Sequence, residues 1–254
     1  MATYKKRGHK PKTKAEKISK IEDESTTAEV FSKLDEGASR TEAFVEKNQK
    51  IILTTVIVVA LGVLGYLGYA EYIQKPNEIS AKNDMFQAQS HFEQALTATN
   101  ADSLYNLSLN GIGGRYGFIK IADNYGGTDA GNLSRYYAGM AYLNTNKYEK
   151  AIEYLRDFKS DDAIIAPLVN GNIGDAYAAL NDNKEALNSY KKAASLSDNE
   201  FTTPKYLLKA GITAISLGNT SEALSLLNQI KDKYPNVAEA TQADMYIGKA
   251  EAMQ

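Results

Sequence analysis

Cysteine and tryptophan are both absent from this chain of 254 residues. Without cysteine there are no disulfides, zinc ribbons or thiol nucleophiles. Histidine is nearly absent too. His9 and His91 stand far apart in the sequence, which leaves no His-rich metal site. No large charge of either sign is present: 29 Lys and Arg oppose 31 Asp and Glu, a formal net charge of −2. A nucleic-acid binder is usually strongly basic, so the chain as a whole does not read as one. No strand-period segment and no catalytic constellation stands out. The expectation is an all-α protein that is not an enzyme and needs no cofactor or metal.

The even balance conceals four regimes. Residues 1–20 carry eight Lys or Arg against one acid, Glu16. Residues 21–50 carry eight acids and four bases, and residues 51–70 carry no charge. Residues 71–254 carry 22 acids and 17 bases, a net −5. Such shifts mark different physical environments along one chain.

The uncharged stretch runs from Ile51 to Ala70. Twenty helical residues at ~1.5 Å each span ~30 Å, the thickness of a bilayer's hydrocarbon core. Lys47 and Lys50 stand at one end, and Tyr66, Tyr69 and Tyr72 at the other, where aromatic rings favour the headgroup boundary. A buried core helix is the competing reading, and a cleaved signal peptide is a second. Gly68-Tyr69-Ala70 fits a small-x-small cleavage pattern, but the apolar run is long for a signal and follows fifty residues. The expectation is a permanent single-pass transmembrane helix over 51–72. The basic excess lies on its N-terminal side, which puts residues 1–50 in the cytoplasm and 71–254 outside it. Gly62, Gly65 and Gly68 leave a shallow strip on this helix, a candidate contact for a second membrane helix.

Residues 1–25 lack the apolar content to pack and read as a disordered basic cytoplasmic tail. Its simplest role is topology control; attraction to anionic lipid or to the ribosome is the sharper alternative. Residues 26–50 read as an amphipathic helical segment. Thr26-Thr-Ala-Glu29 has capping-box spacing, Val30, Phe31 and Leu34 share a face, and Gly37 is expected to interrupt the helix.

From residue 134 on, the chain resembles itself. Gly139, Gly174 and Gly211 lie 35 and 37 residues apart, each preceded by Ala or Ile and followed two positions on by Ala or Thr. Ala151, Ala186 and Ala223 come twelve residues after each glycine, and Leu155, Tyr190 and Leu227 sixteen after it. Asn146, Asn181 and Gly218 fall at one common place, the turn between two helices. This is the pattern of a tetratricopeptide repeat (TPR): a small-residue helix A, a turn, then helix B. Arg135, Asn170 and Leu207 fill the position where the repeat usually has tryptophan, so the repeats are divergent. Gly248 continues the spacing on a last, capping helix.

Upstream, residues 85–96 and 116–125 read as further helices. The glycine-rich segment 111–117 lacks phosphate-loop spacing and reads as an interhelical loop. Asp161 and Asp162 read as solvated loop acids, and His91 as a half-buried helix residue. The fold expected is a tetratricopeptide-like helical-repeat superhelix over 76–254 on a single transmembrane anchor.

Helix A lines the concave side of such a superhelix. Its candidate protein-binding residues are Leu133, Tyr136, Met140 and Leu143 in the first repeat. Leu168, Asp175 and Ala178 follow in the second, and Lys205, Leu208, Ile212 and Ile215 in the third. An apolar row of this kind either binds hydrophobic segments or is covered by the chain's own helices.

Glu42-Ala-Phe-Val-Glu-Lys-Asn-Gln49, one membrane helix and a repeat domain together form a layout that resembles the ancillary SecYEG translocon subunit family, the YfgM type. Asn132-Leu-Ser-Arg-Tyr-Tyr-Ala-Gly139 and Tyr148-Glu-Lys-Ala-Ile-Glu-Tyr-Leu155 look most like its Bacteroidota branch. The resemblance covers about residues 40–254; the basic tail departs from it. It implies an inner-membrane protein with a periplasmic C-terminal domain, associated with SecYEG and a PpiD-type chaperone. It further implies adaptor or chaperone-like handling of unfolded exported proteins. The alternative is a membrane-anchored scaffold for another envelope complex, in cell division or outer-membrane assembly.

Overall fold

A computed structural model describes residues 26–254, with side-chain surroundings from residue 42 onward. The basic tail at 1–25, the Thr26 capping box and the Val30, Phe31 and Leu34 face therefore lie outside the residues whose side chains are described. Among the described residues every regular element is helical. The chain divides into two compact units, Met1–Gly68 and Tyr69–Gln254.

The first unit is built on helix α1, Thr26–Tyr69. It runs without a break past Gly37, contrary to the interruption expected there. One glycine costs a helix only about 1 kcal/mol relative to alanine, which its neighbours outweigh here. From Ile51 to Leu67 every side chain is exposed to the surroundings, and an 18-residue window reaches a mean hydropathy of 2.4. This helix is long and apolar enough to cross a membrane. Its two threonine hydroxyls within the apolar span bond to the helix backbone: Thr54 Oγ1 donates to the Lys50 carbonyl at 2.7 Å and Thr55 Oγ1 to that of Ile51 at 2.8 Å. A polar group in hydrocarbon needs such a partner.

The second unit opens with a π-helical turn, Ala70–Gln74, that passes directly into α2, Lys75–Thr97. Pro76 is placed where its missing N–H costs little. Helix α2 is longer than the 85–96 read from the sequence. It buries Ala81, Met85, Ala88, Phe92 and Ala95, a 3–4 spacing that makes one apolar stripe. The stripe packs on α3 (Asp102–Asn110), α4 (Phe118–Asn124) and α5 (Asp129–Asn144). Phe92 meets the Tyr105, Phe118 and Tyr137 rings edge-on, at centroid distances of 5.5, 6.2 and 5.2 Å. Segment 111–117 is the loop expected. Gly111, Gly113 and Gly114 have positive φ, and a Cβ at Gly111 would collide with the Arg115 carbonyl.

Three helix pairs follow. They are α5 with α6 (Tyr148–Asp157), α7 (Ile165–Ala179) with α8 (Asn183–Ser195), and α9 (Thr203–Ser216) with α10 (Thr220–Lys233). Helix α11, Ala238–Glu251, closes the series. Each helix packs on the next, and the core continues from pair to pair.

The repeat register explains the packing. Gly139 lies against Leu155, Gly174 against Tyr190 and Gly211 against Leu227, always sixteen residues on. A Cβ at these glycines would stand 2.5, 2.5 and 2.7 Å from those side chains, closer than real contacts allow. Ala151, Ala186 and Ala223 are fully buried at the same crossings. The turns match as well: Asn146, Asn181 and Gly218 have φ of 57, 60 and 75°. Asparagine and glycine are the residues that enter this left-handed region most readily. Pro167 and Pro204 sit in the first turns of α7 and α9. These are helix starts, where proline is accommodated.

Candidate functional site

The helix-A row expected to line a binding groove divides in two. Leu208 and Ile215 are 7% and 4% exposed and belong to the core shared by α8 to α11. They are not groove residues. Three before and four after the repeat glycine, a side chain on helix A points toward the following repeat rather than to an open face. Tyr136 and Leu143 hold the same positions two repeats earlier. They pack, half-buried, on the cluster of Ile152, Leu155, Val169 and Ile173.

Of the remaining residues Ala178 lies four after the glycine and the others six before or one after it, and all but Lys205 are half-buried. Leu133 and Met140 pack on the core of α2 to α5, and Met140 also reaches the next cluster. Asn172 Nδ2 stands 3.2 Å from the Met140 sulfur. Leu168, Ala178 and Ile212 rest on the core of α8 to α11. The Lys205 ammonium stands 5.6 Å from the centroid of the Tyr206 ring. The face thus offers isolated apolar patches rather than a continuous slot.

Asp175, read from sequence as a groove residue, is engaged inside the chain. Lys209 Nζ lies 2.6 and 2.8 Å from its two oxygens, and Tyr190 Oη donates to Oδ1 at 2.6 Å. Lys209 also stands over the Tyr190 ring, 5.5 Å from its centroid. Burial first, then the hydrogen bond to Asp175, pushes the Tyr190 phenol well above its usual range. This network ties helix A of one repeat to helix B of the same repeat and helix A of the next. The repeat alignment carries no signal for it, because Lys209 has no charged counterpart at the same position in the other repeats.

Asp162 Oδ1 accepts hydrogen bonds from the Ile164 and Ile165 amides at 2.8 and 2.9 Å, which hold its carboxyl below the usual range. Its role is to cap the entry to α7. His91 is half-buried, and neither ring nitrogen has a hydrogen-bond partner among the described residues. No cluster of three metal-ligating side chains occurs among the described residues. Gly62, Gly65 and Gly68 have open space where a Cβ would stand, so α1 supplies no cover for that strip.

Open clefts lie along the edge where the end of a helix B meets the loop entering a helix A. One of about 350 Å³ lies among α8, α9 and α10, with Leu207 and Leu226 in its wall. Another, of about 560 Å³, is polar and includes Arg135, Arg156 and Lys159.

Tetratricopeptide-repeat family models match residues 133–162, 169–200 and 205–236, one for each helix pair. No curated protein sequence matches the chain. A solved structure of the nearly identical TPR-like repeats of a kinesin light chain-like protein from Podospora anserina superposes with a TM-score of 0.48. It is 13% identical and covers 72% of this chain and 89% of its own. With the three matched repeats, the shared glycine packing and the common left-handed turns, residues 133–236 form helical repeats of the TPR type, a fold that serves as a scaffold for protein–protein interaction.

Proposed function

We propose that this protein is a single-pass bacterial inner-membrane scaffold without enzymatic activity of its own. It acts as an ancillary subunit of the SecYEG translocon, as adaptor or chaperone-like support for emerging exported proteins, alongside a PpiD-type chaperone. The observation that carries the reading is the order of parts. An uncovered apolar helix long enough to span a bilayer leads into a TPR stack with scaffold but no catalytic character. The resemblance of residues 40–254 to the translocon subunit family supplies the named partners. The basic excess before Ile51 supports a cytoplasmic N-terminus and a periplasmic repeat domain.

Two surfaces are available for partners. The Gly62, Gly65 and Gly68 strip lets a second membrane helix approach closely. The Leu133, Met140, Leu168 and Ile212 patches on helix A offer apolar contact to an unfolded segment. The test is copurification from membranes in mild detergent, combined with site-specific cross-linking from Met140 and Gly65. Recovery of SecY and a PpiD-type chaperone is the expected result. Their absence, with recovery of division or outer-membrane assembly components instead, overturns the translocon assignment and leaves an envelope scaffold.

A further inference from the structure

The three matched repeats carry cavities at one recurring place. The residue four before each repeat glycine and the residue eighteen after it line a cleft in every case. The pairs are Arg135 with Asp157, Asn170 with Lys192, and Leu207 with Gln229. The loop entering each helix A forms part of the same wall. The clefts measure about 560, 540 and 350 Å³. They succeed one another along the edge opposite the Asn146, Asn181 and Gly218 turns, and Lys159 belongs to both the first and the second.

Every cleft has at least one lysine without an ion pair among the described residues: Lys159 in the first, Lys159 and Lys192 in the second, and Lys233 in the third. The neighbouring acids are partly committed. Asp198 accepts from Tyr234 Oη, and Glu222 is paired with Lys191 at 2.5 Å. Asp129, Asp157 and Asp161 remain beside the first two clefts. The walls also change along the row. The first is polar, the second adds Phe158 and Leu196, and the third has Ala194, Leu207 and Leu226 as an apolar floor.

Adjacent helices A are in direct contact, with Gly171 of α7 against the Tyr206 ring of α9. Packed helices stand about 8–10 Å apart, and a polyproline II chain, with three residues per turn, advances about 3.1 Å per residue, so about three peptide residues bridge neighbouring clefts and every third side chain falls on one face. We propose that this edge is a docking track for an extended acidic segment of a partner protein. Every third side chain of that segment enters a cleft, with a carboxylate at the Lys159 and Lys192 clefts and an apolar side chain in the Leu207 cleft. Charge complementarity argues for this occupant: an unpaired lysine stands in every cleft on a domain that is otherwise net acidic. The site is separate from the helix-A patches and does not depend on which membrane complex the protein joins.

The test uses the full chain in neutral phosphatidylcholine nanodiscs. The probe is a fluorescein-labelled peptide of about ten residues, Ser and Gly except for Asp, Asp and Phe at every third position, in both sequence directions. One direction should bind, and added salt should weaken it. Joint Lys159→Glu, Lys192→Glu and Lys233→Glu substitution should weaken binding at least about tenfold with unchanged helicity, and the resulting variant should prefer the peptide with Lys in place of Asp. The milder Lys→Gln set should weaken it in the same direction if the Glu set disturbs helicity. Lys184→Glu, an exposed charge reversal outside the clefts, should leave affinity unchanged. Equal binding of the Lys peptide to the native chain, or affinity unmoved by the lysine substitutions, overturns the proposal. So does an equal loss of binding on Lys184→Glu, or binding of glycerophosphoglycerol with none of the peptide. Copurification of SecY is read separately, so either result stands without the other.

Discussion

At the scale of the residue, three glycines carry the repeat. A tyrosine ring occupies the space that any side chain at Gly174 would need, and Tyr190 is 4% exposed, with little room to move aside. Gly174→Leu should therefore destabilise the repeat unit by about 1–3 kcal/mol or more, measured as a lowered urea midpoint of the full chain in detergent. The tyrosines add a pH dependence. Burial foremost, with the charge of Asp175 next, raises the Tyr206 phenol to about 12. The unfolded chain loses that proton near pH 10, before the folded chain does. This contribution is complete below pH ~10 and disappears as pH rises toward about 12. Far-UV ellipticity followed through that window should fall, and Tyr206→Phe should flatten the slope.

Helix ends and helix pairs belong to the scale of the element. Helix α5 begins under two caps. Thr128 Oγ1 accepts from the Gly131 amide at 3.0 Å, and the Glu78 carboxylate on α2 accepts from the Asp129 and Ala130 amides at 2.8 and 3.2 Å. Glu78→Ala should cost about 0.5–2 kcal/mol and loosen the seat of α2 on the first repeat, visible as faster amide exchange at Asp129 and Ala130. The repeat helices and their turns were legible in the sequence because glycine, alanine and asparagine recur where close packing and positive φ require them. Helix α3 was not, since nine residues rich in Asn and Ser offer too short a period. The binding face was legible only in part. Spacing put Leu208 and Ile215 on helix A, but whether such a position faces outward depends on the next repeat, which a single repeat's pattern does not contain. The Asp175–Lys209–Tyr190 network lay beyond the sequence for a similar reason, since its members come from three helices.

Across the whole molecule, the proposed topology is open to direct labelling. Ser225→Cys, on an exposed position of α10, should react with a membrane-impermeant maleimide in spheroplasts. Ser19→Cys should react only after the membrane is opened, and the reverse pattern would sink the orientation. The two units also differ in what they bury. Residues 51–67 leave their apolar side chains exposed on a helix long enough to span a bilayer, whereas the repeat unit buries its own core. Within the repeat unit, Gly248 repeats the register of Gly139, Gly174 and Gly211, yet nothing stands within 4 Å of where its Cβ would be. Helices in such an array are fastened only by their neighbours, much as the teeth of a zipper are. Helix α11 is fastened along one side, so fraying starts there and proceeds inward. Hydrogen exchange should run fastest in α11, slower in α10 and slowest near α7.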